Sequence, residues 1–227
     1  MYFYGFDATF LILIPALILA FYAQFRVKNT YSSLSQVEAE AGVTGIEVAE
    51  RLVSQNNLPV KVEEIPGELT DHYDPRTEVL RLSSSVARGH SIADYSIAAH
   101  EVGHALQKRE SYGAFAFRSA LVPVAQFGST LAFPLFFIGL IFTLRPLMDI
   151  GIIFFSAAVL FQLVTLPVEY NASGRAYQIL VRSGFIASGE QPYIKKMLNA
   201  AALTYVAATA MAALQLLRLI LLRQSRD

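Results

Sequence analysis

Ser96-Ile97-Ala98-Ala99-His100-Glu101-Val102-Gly103-His104-Ala105-Leu106-Gln107 contains H-E-x-x-H. On a helix, residues four apart stack on one face, so His100 and His104 can aim two imidazoles at one point. Glu101 projects about 100° further round, where it can reach a metal-bound water without ligating the metal. Two neutral nitrogens beside a carboxylate suit Zn²⁺ acting as Lewis acid and water activator. With 4 His and 12 Glu in 227 residues, chance would supply the motif about 0.004 times. The bland alternative is two histidines on an exposed helix face with Glu101 as a solvated charge.

The flanking residues predict a helix. Ser91 followed by Asp94 reads as a capping box, and Ile92, Tyr95, Ala99, Val102 and Leu106 recur at helical spacing without a proline. Gly103 costs such a helix about 1 kcal/mol against alanine. In exchange, a small residue between the histidines leaves room for a close neighbour or a substrate.

Hydrophobic residues make up 54% of the chain and charged residues 16%, too apolar for an ordinary soluble domain. The formal net charge is zero, which gives no reason to expect nucleic acid as a partner. There is no cysteine, so a metal must be held by His, Asp or Glu. The apolar residues come in blocks. Phe6 to Phe25 is long enough to span a bilayer and has no basic leader, so it reads as a retained anchor. Further blocks run from Leu121 to Leu144, Leu147 to Val168 and Leu198 to Leu217, and Arg145-Pro146 makes the middle two a hairpin.

Residues 26–118 differ, holding 10 of the 18 basic and 13 of the 18 acidic residues. Thr44-x-x-Glu47 caps a short helix ending near Asn56-Asn57, Val60 to Ile65 and Glu78 to Ser83 read as strands, and Asp74-Pro75-Arg76 as a turn. A small sheet there would offer an edge to an extended peptide. The expected fold is therefore a mainly α membrane protein, four transmembrane helices with a small α+β zincin-like metallopeptidase domain. Its expected divisions are an N-terminal anchor (1–25), the soluble domain (26–118), a transmembrane hairpin (119–168), a segment with the third metal ligand (169–197), and a C-terminal helix and tail (198–227).

A catalytic zinc takes three protein ligands and keeps one position open. Two crossings after His104 return the chain to the same face, so Glu169, after the third block, arrives on the metal's side, and Asp149 does not. A carboxylate at a helix exit could equally be a solvated cap. His72, Tyr73, Asp74, Tyr170 and Arg175 are the other polar residues near these motifs. His72 is a tentative catalytic residue that could stabilise an oxyanion, or a turn residue bonding its own backbone. Arg175 reads first as the partner of a carboxylate or lipid phosphate.

Ala98 to Gln107, Leu69-Thr70-Asp71-His72-Tyr73-Asp74-Pro75 and Pro167-Val168-Glu169-Tyr170-Asn171-Ala172-Ser173 together resemble the YugP-type membrane zinc metallopeptidases. More distantly, the chain is similar to the HtpX and CAAX-prenyl-protease membrane gluzincins. The resemblance covers most of the chain and implies one Zn²⁺ per chain on His100, His104 and Glu169, with Glu101 as general base. It also implies peptide or membrane-protein substrates and a multi-pass protein of the bacterial cell membrane. One departure stands out: the broader pattern has Asp four residues after the ligand glutamate, orienting a ligand histidine, and here Ser173 occupies that place. A hydroxyl can accept from an imidazole N–H but brings no charge; Asn171 or the Asp71–Asp74 loop are the alternatives for that role.

Arg26 and Lys28 follow the first block, and Arg175, Arg182, Lys195 and Lys196 follow the third. By the positive-inside rule these segments, and the site, face the cytoplasm. Arg218, Arg223 and Arg226 would then lie outside, unless the fourth block fails to cross. Two other functions compete with a peptidase: a non-catalytic zinc-stabilised membrane scaffold or adaptor, and a membrane zinc hydrolase acting on a non-peptide bond. The intact Glu101 argues against the scaffold, because a structural zinc needs no base beside it.

Overall fold

The computed structural model describes residues 2–3 and 6–225. In chain order the helices are α1 (Ile14–Leu34), α2 (Gly45–Gln55), α3 (Ser84–Arg88), α4 (Ile92–Arg109), α5 (Gly113–Ile141), α6 (Arg145–Ser183) and α7 (Gln191–Gln224). The strands are β1 (Tyr2–Phe3), β2 (Phe6–Asp7), β3 (Lys61–Ile65), β4 (His72–Asp74) and β5 (Val79–Ser83). The chain divides into two compact units, one of Met1–Gln24, Ala116–Pro167 and Thr204–Asp227, the other of Phe25–Phe115 and Val168–Leu203.

The first unit is built from apolar helix. Among the described residues, four stretches are long and apolar enough to cross a membrane: Thr9–Leu34, Gly113–Ile141, Arg145–Ser183 and Gln191–Gln224, against the roughly 20 residues a crossing needs. Large side chains such as Phe127, Ile141 and Ile153 are two-thirds or more exposed, as lipid-facing residues are and those of soluble domains rarely are in such number. The protein is thus a mainly α membrane protein with a small α+β part. The first helix differs from expectation at its start: Phe6 pairs in β2 with β1, and Ala8–Leu13 coil as a 3₁₀ turn before α1 begins. Pro15 explains the starting point, because proline is tolerated in the first helical turn, where its missing N–H has no partner to lose.

Helices α5 and α6 touch across glycines. A side chain at Gly128 would come 2.6 Å from the Phe154 carbonyl oxygen, and one at Gly151 would come 2.8 Å from that of Ala132. Small residues of this kind let membrane helices pack backbone to backbone. Phe136, Met148 and Leu219 fill the centre. The arginines at the end of α7 find partners in the same unit: Arg223 pairs with Asp149 at 2.9 Å, and Arg218 donates to Thr9 and lies over the Phe10 ring. Of the two, only Arg223 meets an opposite charge in these contacts. Arg226 lies outside the described residues.

The second unit packs α2, α3 and α4 with a three-stranded sheet, together with parts of α6 and α7. The sheet order is β3-β5-β4, with β3 parallel and β4 antiparallel to β5. Leu52, Leu80, Leu82, Ile92, Tyr95, Val102, Leu180 and Ile194 are fully or almost fully buried in one core. Both expected capping boxes are present, Thr44 with Glu47 on α2 and Ser91 with Asp94 on α4. Strand β4 has no expected counterpart. It is three residues long, too short to alternate legibly, and left-handed residues at Leu69 (φ 53°) and Glu78 (φ 56°) turn the chain on either side of it. Helix α6 also departs from expectation: instead of ending at Glu169 it runs on to Ser183, straight through Pro167.

The contact that matters most to the site is made by Gly103. A Cβ there would stand 2.6 Å from the carbonyl oxygen of Ala172 and 3.3 Å from its carbon. The close neighbour is therefore the α6 backbone, and it cannot yield as a flexible side chain could. Gly174, in the same helix, faces open space. We expect Gly103→Ala to lower the thermal midpoint of the detergent-solubilised protein, because overpacking costs about 1–3 kcal/mol and outweighs the ~1 kcal/mol helix-propensity gain. Gly174→Ala should raise it, by roughly 0.5–1 kcal/mol of stability. Equal gains from both would mean that α4 and α6 are not in backbone contact.

Candidate metal centre

His100 and His104 sit one turn apart on α4, held by its Ser91–Asp94 cap and its buried face. Their rings lie 4.8 Å apart, nearly perpendicular at 87°. Glu169 comes in from α6 and is almost fully buried. His100 Nε2 stands 3.2 Å from Glu169 Oε2, and His104 Nε2 stands 3.6 Å from the same oxygen. One ligand atom from each of the three side chains lies within 4.8 Å of the others. Among the described residues this is the one group of three or more His, Asp or Glu so placed. Both Nε2 atoms and a carboxylate oxygen turn inward, and two imidazoles with a carboxylate are a donor set suited to zinc. The residues fit the metal.

Each imidazole is braced on its other nitrogen. Ser173 Oγ lies 3.3 Å from His100 Nδ1, so the hydroxyl does occupy the place where the broader pattern has a carboxylate. His104 Nδ1 lies 3.0 Å from Gln107 Oε1. Gln107 is fully buried, and its Nε2 donates to the Val168 carbonyl and to Asn171 Oδ1. Asn171 also accepts from Arg175 Nε, and Arg175 in turn pairs with Glu110 at 2.6 Å. Gln107 was not legible as a site residue. It stands just beyond the motif, at i+3 from His104, and that spacing is the one signal that could have singled it out.

Glu101 is buried one residue from His100. Burial pushes its carboxyl up to about 7; the His100 ring opposes the shift, the Glu169 and Asp71 carboxylates add to it, and a backbone bond from Tyr73 opposes it. Helix α4 packs against β4, an edge strand of the sheet. Asp71 is also raised by burial, although the Ser83 backbone N–H and hydroxyl both donate to it.

His72 behaves as a turn residue. It is exposed at the start of β4, with Nδ1 2.8 Å from the Thr70 carbonyl and Nε2 3.5 Å from an Arg81 nitrogen. The structure thus brings together His100, Glu101, His104 and Glu169 and engages the His72 ring elsewhere. Asp74 accepts from the Arg76 backbone and the Thr77 hydroxyl, closing the turn after β4. Tyr170 is half exposed on α6.

The chain is 51% identical over 210 residues to a Bacillus subtilis (strain 168) protein named "Putative membrane protease YugP", covering 92% of this chain and 93% of that one. No solved structure matches. Residues 9–224 match the family described as "Putative neutral zinc metallopeptidase", and with nearly the whole chain inside that match, the protein belongs to this zinc metallopeptidase family.

Proposed function

We propose that the protein is an integral membrane zinc-dependent metalloendopeptidase that hydrolyses peptide bonds of membrane-associated or misfolded proteins. The observation that carries this reading is a buried carboxyl, Glu101, beside three inward-facing ligand groups. A structural metal site would gain nothing from burying a second acidic group there, because a buried charge is costly. This weighs against the scaffold reading.

His100, His104 and Glu169 would hold one zinc ion. The ion would supply Lewis acidity to the scissile carbonyl and to the attacking water. Glu101 takes the proton from the attacking water and later delivers it to the leaving amine. Its place on α4, one residue from His100 and out of bulk water, suits it to both transfers. Ser173 and Gln107 hold the two rings with their Nε2 atoms toward Glu169. An extended substrate segment could add to the sheet at β4, the edge strand that packs against α4. Peptide bonds are favoured over other acyl bonds by this edge, since main-chain pairing is what a strand edge offers.

We place the site on the cytoplasmic side of the bacterial cell membrane. Support comes from Arg26 and Lys28 after the first span and Arg175, Arg182, Lys195 and Lys196 after the third. The C-terminus is then outside, with Arg223 paired to Asp149.

Glu101→Gln should retain zinc and lose proteolysis by at least the 10²–10⁴-fold that general acid–base catalysis contributes, measured on casein or a membrane-protein substrate. Undiminished cleavage by the variant would remove Glu101 from its role. Chelator should abolish cleavage by the parent, and added zinc should restore it. A cysteine introduced as Ser225→Cys, in a chain that has none of its own, should react with an impermeant label on intact cells. Labelling only after lysis would put the C-terminus inside and reduce the number of crossings.

A further inference from the structure

We propose that Gln107 is a positioning residue that fixes the tautomer of His104, presenting Nε2 rather than Nδ1 to the metal, through a chain of uncharged amides anchored on Arg175. The inference rests on the zinc reading above and goes further, since it assigns the direction of every proton in the chain of bonds behind His104.

The direction follows from groups that can only donate or only accept. A guanidinium has no acceptor, so the Asn171 atom 2.6 Å from Arg175 Nε must be its oxygen. That same oxygen lies 2.9 Å from one terminal atom of the Gln107 amide. A second partner of that atom, 2.7 Å away, is the Val168 main-chain carbonyl, which can only accept. Facing two acceptors, the Gln107 atom must be the nitrogen, and the bonding network thereby settles an assignment that atomic positions alone do not. The other amide atom is then the oxygen, and it lies 3.0 Å from His104 Nδ1. An amide oxygen accepts, so His104 Nδ1 carries the proton. In the neutral ring the lone pair is left on Nε2, the atom that faces Glu169.

Nothing in this chain can reverse without leaving a buried donor facing a donor or an acceptor facing an acceptor, and buried groups left unsatisfied in that way are destabilising. Gln107 is fully buried, so water cannot repair such a mismatch. Glu110 holds the far end of the chain by pairing with Arg175. His100 has no comparable lock. Its Nδ1 meets the Ser173 hydroxyl at 3.3 Å, and a hydroxyl can turn to donate or accept. The two ligand rings are thus unequally held, with the stronger constraint on His104 and supplied without any charge.

The test combines zinc affinity with the protonation of the ring. There are only four histidines in the chain, so ¹⁵N-histidine labelling of the zinc-loaded, detergent-solubilised protein gives an interpretable spectrum. His104 should show a protonated Nδ1 and a metal-bound Nε2, with its Nδ1–H protected from exchange. In Gln107→Met, which keeps the side chain's length and helix preference, protection should be lost and zinc should bind about 10–100-fold more weakly in chelator competition. Asn171→Asp keeps the accepting oxygen for both Gln107 and Arg175 and should bind zinc nearly as the parent does. Asn171→Leu should weaken binding in the same direction as Gln107→Met. Ligation of His104 through Nδ1 in the parent overturns the assignment even if Gln107→Met does not fold. So does a folded Gln107→Met that binds zinc as tightly as a zinc-binding parent. A parent that binds no zinc would instead bring down the metal reading, and this inference with it.

Discussion

The missing side chain at Gly103 is the constraint on which the site depends. It lets the α6 backbone lie against α4 at Ala172, less than a turn from Glu169. A carboxylate 69 residues along the chain from His100 can then meet two imidazoles fixed on a single helix. Any larger residue at position 103 would hold the helices apart, and the three inward-facing atoms would lose their common centre. Glycine is a poor helix former, so its place in the middle of α4 is a cost in local stability accepted for a close approach. The neighbouring side chains fit the same contact: Gln107 reaches across it to the Val168 carbonyl, and Ser173 reaches back to His100.

Much of this was legible before any coordinates. H-E-x-x-H states its own geometry because helical periodicity is a local property, and the caps at Thr44 and Ser91 announce helix starts by residue type alone. The four apolar blocks were visible for a similar reason, since a bilayer demands about 20 apolar residues per crossing. Glu169 could be reached only through topology: two crossings bring the chain back to the side it left. What stayed hidden depends on tertiary contact. Strand β4 is too short to carry a period and exists because β5 pairs with it. The continuation of α6 past Glu169 could not be read from an apolar block that ends at Val168; core contacts of Ala176, Ile179 and Leu180 stabilise the helix beyond it. Gln107 looks in sequence like any polar residue near the end of a helix, and only the packing of α6 shows that it is buried with every polar atom occupied.

The electrostatics of the centre rest on burial more than on added charge. Glu101 is raised chiefly because it is out of water, and the carboxylates near it reinforce that effect. Behind the ligands the supporting groups are a hydroxyl and two amides, where a carboxylate would be the commoner choice. A neutral support adds no charge behind the three ligand groups, and it orients the rings by bond direction instead of by attraction. The charged members, Arg175 and Glu110, are set further out, where their pairing fixes the amides without adding to the field at the ligands.

The central claim is that His100, His104 and Glu169 hold a single zinc ion together. Zinc content after dialysis against a weak chelator, compared between the parent and Glu169→Ala, tests it most directly. The account predicts one zinc per chain in the parent and almost none in the variant. One zinc per chain in both would show that the carboxylate on α6 is not a ligand and that the metal is held in some other way.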